Sequence, residues 1–295
     1  MNSNQATYCE WAAKQDNLSI FAQPWWLDAT CGNENWDVFI QENNFAFAYH
    51  HKQKFFQKAL LPSVLTPYQP CANFDASIIH QLKQFDFIEW CWKDFDESIK
   101  TNLAENNFQI TTKHTRVLDL TDVENVFKNF KPSLQRQIRK AEKNLTIKND
   151  DDLETFFKVS TQTFQAQKKA IPYSFEQLKM IDDACKKNNA GCFMMAYNAA
   201  QQPCAAIYLV FDKTCCYYLL GGVATEFKNT GAMCLLLWQS IQFAASKSKT
   251  FDFCGSTIPS IDNFFSTFGA EKKEVLLINR YKNQLQKLVI EQLKK

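Results

Sequence analysis

Apolar and polar positions along this chain fall into short aromatic runs that alternate with stretches of helical spacing, and the same succession occurs twice. In the first half, apolar residues from Phe21 to Ala29 recur at helical spacing around Pro24, which suits a first helical turn. Trp36-Asp37-Val38-Phe39-Ile40, Phe45-Ala46-Phe47-Ala48-Tyr49 and the run from Phe55-Phe56 to Leu61 are separated by Glu42-Asn43-Asn44 and His51-Lys52-Gln53. That is the pattern of a three-stranded antiparallel meander. Pro62, Pro67 and Pro70 then impose an extended path through Leu65-Thr66-Pro67-Tyr68. A helix over 75–83, a strand over 85–90, a helix over 95–106 and strands over 108–110 and 116–120 complete this half.

The second half begins with helices over 133–144 and 153–168 and a third that opens at a Ser174-x-x-Gln177 capping box. Strands follow over 192–197, 204–211 and 215–220, with Asn198-Ala199-Ala200-Gln201-Gln202-Pro203 and Asp212-Lys213-Thr214 as turns. A helix over 231–247, a strand over 251–254, a helix over 258–268, a strand over 275–281 and a terminal helix close the chain. Both halves thus read β-β-β-α-β-α-β, and each has Phe-Asp-Phe at its post-helix strand, Phe85-Asp86-Phe87 and Phe251-Asp252-Phe253. An internal duplication follows, with an N-terminal domain over 1–130 and a C-terminal domain over 131–295.

The most suggestive stretch runs from Tyr217-Tyr218-Leu219-Leu220-Gly221-Gly222 through Glu226-Phe227-Lys228-Asn229-Thr230-Gly231-Ala232 to Phe253-Cys254-Gly255-Ser256. It reads as strand, glycine-containing turn, amphipathic helix, strand. The unpaired N–H groups and the positive dipole end of that helix would face a phosphate or an acyl oxygen lying in the turn. The first half has Pro70-Cys71-Ala72-Asn73 before its own helix instead of glycines, so one such site per chain is expected.

Composition narrows the picture without naming a reaction. The 26 Phe, 9 Tyr and 7 Trp against only 7 Gly favour thickly packed interiors over loop-rich ones. Residues 1–130 carry 10 Lys and Arg against 16 Asp and Glu, and residues 131–295 carry 23 against 15, so the second half is basic and suits an anionic ligand. Its clearest feature is an amphipathic helix with Arg136, Arg139, Lys140 and Lys143 along one stripe and Leu134, Ile138 and Ala141 opposite, either a phosphate-facing surface or a solvated face. The 11 cysteines show no C-x-x-C spacing and His50, His51, His80 and His114 form no ligating motif, so reduced thiols and no metal are expected. With neither a signal-peptide pattern nor an apolar run of membrane-spanning length, the expected location is cytoplasmic, with no membrane span.

These elements together resemble a known family. The β-β-β-α-β-α-β order, the glycine turn before a long helix, and Phe251-Asp252-Phe253-x-Gly255-Ser256 followed by Ile261-x-x-Phe264-x-x-x-Phe268-Gly269-Ala270 are similar to the FemAB/BioF2-like branch of the GNAT acyltransferase superfamily. The basic helix at 134–143 resembles the segment that opens the second half of those proteins. The resemblance implies an α/β (α+β) fold of tandem duplicated GNAT-like domains, each a mixed, mostly antiparallel sheet flanked by helices, the first on the acceptor side and the second on the donor side. It also implies a transferase: an N-acyltransferase moving an acyl group from an activated donor to an amine, with acyl-CoA favoured as co-substrate and a small-molecule or nucleotide-linked amine as acceptor. Two alternatives stay open, an aminoacyl-tRNA-dependent FemAB-type aminoacyltransferase and a non-catalytic ligand-binding protein on the same fold. The long helical hairpin of the tRNA-dependent enzymes has no counterpart between Lys131 and Gly191, which makes tRNA the lesser partner.

In GNAT enzymes a Gln/Arg-x-x-Gly-x-Gly/Ala turn holds the pyrophosphate of coenzyme A on backbone amides, and Lys228-Asn229-Thr230-Gly231-Ala232-Met233 aligns with it. The resemblance therefore makes Lys228, Gly231 and Ala232 cofactor-binding. Gly221 and Gly222 mark either a bulge that parts two strands for the acyl group or a plain turn. Asp252 would position or deprotonate the amine, Ser256 would protonate the leaving thiolate, and Glu226 is a similar candidate, each with capping or ion pairing as the structural reading. Arg136, Arg139 and Lys140 would meet acceptor phosphates or RNA. Trp26 and Tyr68 would line the acceptor cleft, or else belong to the core.

Overall fold

The computed structural model describes residues 2–41, 44–54, 57–71, 76–166, 168–255 and 258–293. In chain order its elements are α1 (Ser3–Ala12), α2 (Pro24–Cys31), β1 (Trp36–Gln41), β2 (Asn44–Lys54), β3 (Gln57–Leu61), α3 (Ala76–Leu82), β4 (Phe87–Lys93), α4 (Glu97–Glu105), β5 (Gln109–Asp119), α5 (Val123–Val126), α6 (Pro132–Ala141) and β6 (Leu145–Asn149). They continue as α7 (Leu153–Ala166), α8 (Phe175–Lys187), β7 (Gly191–Asn198), β8 (Pro203–Phe211), β9 (Cys215–Val223), α9 (Ala232–Ala245), β10 (Thr250–Asp252), α10 (Pro259–Ser266), β11 (Glu271–Tyr281) and α11 (Gln284–Leu293). The duplicated order is there, as β1-β2-β3-α3-β4-α4-β5 and β7-β8-β9-α9-β10-α10-β11.

The chain falls into two compact units, and they are not the linear halves 1–130 and 131–295. One unit is residues 1–113 with 274–295; the other is 114–273. The reason is an exchange of last strands. In the first unit β11 pairs antiparallel with β4, Val275 opposite Lys93 through Tyr281 opposite Phe87. In the second unit β5 pairs antiparallel with β10, Asp119 opposite Thr250 through Val117 opposite Asp252. Each repeat therefore gives its seventh element to the other repeat's unit, and the crossings lie inside β5 and β11.

In the first unit β1, β2 and β3 form the anticipated meander, but β2 runs on through His51, Lys52 and Gln53, which pair with Leu60, Ala59 and Lys58. Alternating polar side chains on one solvated face look like a turn in sequence and are compatible with a strand. The core is aromatic: Trp90 stacks on Trp92 at 4.7 Å and Phe39 on Tyr49 at 4.3 Å. Parallel pairing of β3 with β4 covers Ala59–Phe87 and Leu60–Ile88. Beyond it buried Gln69 wedges between the strands: its N–H donates to Cys91 O, its Oε1 accepts from Cys91 N, and its Nε2 donates to Leu61 O.

In the second unit β6, β7, β8 and β9 are antiparallel neighbours, β9 pairs parallel with β10, and β5 lies on the far side of β10. The apolar length of α9 fits burial on several sides: Leu235, Leu236, Leu237, Ile241 and Ala244 are at most 2% exposed. Phe251-Asp252-Phe253 ends β10 while Phe85-Asp86-Phe87 leads into β4, so the tripeptides are not equivalent positions. Four of the named elements escape the sequence patterns. α1 buries only Gln5, Tyr8 and Ala12 and opens on a reciprocal Asn2–Gln5 capping box, α5 is a single turn begun at Asp122, β6 is a five-residue strand at the sheet edge, and β5 is one strand where two were expected.

Candidate functional site

The stretch that stood out in the sequence becomes a strand that leaves its neighbour. Tyr208 pairs with Leu220 and Leu209 with Tyr218, so Leu219 is an extra residue, a β-bulge in β9. The pairing of β9 with β10 covers Cys215–Thr250, Cys216–Phe251 and Tyr217–Asp252 only, whereas β9 itself continues to Val223. The bulge thus lies two residues past the point where the two strands part.

Gly221 and Gly222 have separate reasons to be glycine. A Cβ on Gly222 would lie 2.7 Å from Ser160 O on α7, so the glycine lets a helix backbone rest on the strand. A Cβ on Gly221 would lie 2.5 Å from the Tyr218 hydroxyl, whose ring lies along the strand and meets Phe265 of α10 edge-on at 5.9 Å. Burial pushes the Tyr218 phenol pKa well up, with further contributions from Cys254 and Tyr173. The phenol therefore keeps its proton at neutral pH and serves as a hydrogen-bond donor.

The helix start is equally specific. Gly231 is the N-cap of α9 with φ +78°, in the left-handed region, and contributes no side-chain acceptor to the N–H groups of the first turn. A Cβ there would meet Ala141 Cβ and Gln137 O at 3.3 Å, so α6 packs directly beside this helix start. Ala232 is buried, and Met233 packs on the core. Lys228 is exposed just before the turn. Arg136, Arg139 and Lys140 are exposed on α6 and Lys143 is exposed in the turn just after it; Lys140 lies one step around the helix from the Gln137–Ala141 seam.

Glu226 is exposed in the 3-10 turn Thr225–Phe227 and lines a groove of about 560 Å³ with Lys158, Gln162, Gln202 and Phe227. Gln162 Oε1 fixes this turn by accepting from Thr225 N at 2.9 Å. Asp252 is different: it is 0% exposed and its Oδ1 accepts from Thr115 Oγ1 at 2.5 Å and Cys254 N at 2.7 Å. The carboxylate faces inward and orders the turn after β10, where Cys254 and Gly255 both have positive φ.

Trp26 is fully enclosed, its Nε1 donating to Thr66 Oγ1 at 2.9 Å, and Tyr68 is buried with its ring against Phe21 and Lys93 Nζ 5.3 Å away. Both are core residues of the first unit, with no surface for an acceptor. Ser256 lies outside the described residues.

Sequence reasoning did not find the polar cluster on the other side of β10. Arg116 grips Asp262 at both ends, Nε to Oδ1 at 2.7 Å and Nη2 to Oδ2 at 2.9 Å, and its Nη1 donates to Ala270 O. His114 Nε2 lies 3.2 Å from the same Oδ1, and Lys272 Nζ is 3.9 Å from Oδ2. Hydrogen bonding from Arg116 holds the Asp262 carboxyl down at about 2. The partners are 146 positions apart in sequence, and no local spacing signals them.

Residues 128–266 match the family model described as an acetyltransferase (GNAT) domain. This segment is a GNAT domain. It contains the bulged strand, the α9 start and Asp262. Over the whole chain the fold is that of tandem GNAT proteins. FemX is similar over 94% of this chain and 96% of its own, with a TM-score of 0.67 at 12% identity. L-PGS from Bacillus licheniformis is similar over 96% and 93%, with a TM-score of 0.58 at 9% identity. A tandem GNAT protein from the clavulanic acid biosynthesis pathway is similar over 93% and 93%, with a TM-score of 0.53 at 9% identity. No curated protein matches the chain in sequence. Among the described residues no helix is long and apolar enough to cross a membrane, and no three His, Cys, Asp or Glu side chains gather as a metal site.

Proposed function

We propose that the protein is an N-acyltransferase whose GNAT domain holds an activated acyl donor, with acyl-CoA as the favoured form, and transfers the acyl group to an amine. The observation that carries this reading is the bulge at Leu219, just past the point where β9 parts from β10. A strand edge released from its neighbour offers backbone N–H groups to the donor's amide chain and to the oxygen that gains charge during attack. The α9 start suits the donor's phosphates, because Gly231 brings no competing side-chain acceptor and Lys228 is exposed beside it. Since the donor is already activated, placement and hydrogen bonding supply the acceleration without a covalent enzyme intermediate. Asp252 acts through Thr115 and the turn rather than by touching the acceptor. Glu226 and the groove it lines are the acceptor-side candidates of this unit.

Calorimetric titration with acetyl-CoA and longer acyl-CoAs tests the reading. Saturable binding weakened by substitution at Gly231 supports it, while no heat with any of them rejects the coenzyme A form. Binding without turnover on any amine would point to the non-catalytic alternative.

The second reading is an aminoacyl-tRNA donor, favoured by the four exposed cations on and just after α6, beside the α9 start. Retention of tRNA whose log affinity falls linearly with log salt, and is lost when Arg136, Lys140 and Lys143 are reversed in charge, would select it.

A further inference from the structure

We propose that His114, oriented by Asp262, is the general base that takes the proton from the attacking amine. The inference rests on the acyltransfer reading and adds to it a catalytic group on β5, the strand on the side of β10 opposite the donor-holding β9.

His114 Nε2 is buried without a hydrogen-bond partner in good alignment, yet it stands only 3.2 Å from Asp262 Oδ1. A buried ring nitrogen left unsatisfied costs stability, and such atoms call for a functional reason. About a third of the side chain is exposed. Nε2 is enclosed while the rest of the side chain is reachable from solvent. A neutral ring with its Nε2 proton toward the carboxylate leaves its lone pair on Nδ1, which is the tautomer of an oriented base. Catalytic hydrogen bonds are often long or misaligned without substrate and tighten when it binds.

The placement fits the proposed reaction. His114 O lies 3.0 Å from where a Cβ on Gly255 would be, so the residue stands over the turn that follows β10. His114 and Arg116 both reach Asp262 on α10, whereas Thr115 between them turns the other way to Asp252. The charged groups around the ring are Asp262 from α10, Arg116 from its own strand and Lys272 from β11. Arg116 occupies both carboxylate oxygens, which fixes Asp262 as a rigid orienting group.

In the step, the amine nitrogen bonds to the acyl carbon, the carbonyl π pair moves to oxygen, and the amine proton passes to Nδ1. Collapse of that oxyanion expels the donor's thiolate. The imidazolium then returns its proton to the thiolate or to water, so acyl thioester and amine give amide and thiol.

The test compares the full chain with His114→Gln and His114→Ala, using acetyl-CoA and a panel of amino acids, amino sugars and polyamines, with thiol release as the readout. Expected are a loss of kcat of roughly 100-fold, unchanged acetyl-CoA binding by calorimetry, disappearance of the acid limb of the kcat profile, and partial rescue of His114→Ala by free imidazole. Asp262→Asn, as a positioning change, should lower kcat and shift the same limb. Full kcat with an unaltered acid limb in His114→Gln overturns the inference while the transferase reading stands. If neither acetyl-CoA nor longer acyl-CoAs bind or react with the unaltered protein, the coenzyme A form is rejected together with the base assignment that rests on it.

Discussion

At the residue scale the glycines and Asp262 give the sharpest expectations. Gly231→Ala introduces a side chain at φ +78° and two contacts at 3.3 Å with α6, so it should cost about 1–3 kcal/mol in denaturant unfolding and weaken donor binding. Gly222→Ala places a methyl 2.7 Å from Ser160 O, a rigid helix backbone. It should destabilise by a similar amount, about 1–3 kcal/mol, and push α7 off β9. Asp262 has a folded pKa of about 2 against an ordinary value of 3.8, with Arg116 as the main cause. A depressed carboxyl contributes stability that is complete above the ordinary value and lost as pH falls through the folded one. Melting temperature should therefore drop between about pH 4 and pH 2, and Asp262→Asn should flatten that drop while lowering stability near neutrality by roughly 1–3 kcal/mol.

At the scale of elements, the two places where a parallel strand pair opens are treated differently. In the second unit β9 leaves β10 after Tyr217 and Asp252, with a bulge just beyond; in the first unit β3 leaves β4 after Leu60 and Ile88 and Gln69 fills the gap. The difference is consistent with the expectation of one donor site per chain drawn from Pro70-Cys71-Ala72-Asn73, where the first half has no glycine turn. Gln69→Leu should strip Cys91 N and Leu61 O of their partners, cost about 2–4 kcal/mol, and leave acyl-CoA affinity unchanged, as chemical denaturation and calorimetry would show. The capping box at Ser174 and Gln177 and the basic stripe of α6 were legible because each is a local pattern. The long β2 and the unbroken β5 were not, since polar alternation on a solvated strand face carries the same letters as a turn.

At the scale of the whole molecule, the exchange of β5 and β11 governs which fragments can fold. A fragment 131–295 lacks β5, the partner of β10, together with Thr115 and Arg116 that hold Asp252 and Asp262. A fragment 114–273 contains all of these. Circular dichroism and amide proton dispersion should show a cooperative fold for 114–273 and a poorly ordered state for 131–295. The opposite ranking would contradict the exchange.

Local pattern carried the kinds of element, their duplicated order and the glycine-marked stretch from Tyr217 to Gly231. These are read from periodicity, turn residues and a glycine that only one backbone conformation requires, all properties of neighbours in the chain. Only the tertiary structure decided that the last strands change units, that Trp26 and Tyr68 are core, that Asp252 is enclosed, and that His114, Arg116 and Asp262 form one cluster. Those outcomes depend on pairing and burial between residues from 40 to more than a hundred positions apart, and no local pattern encodes which of two equally suitable strand edges a strand will join.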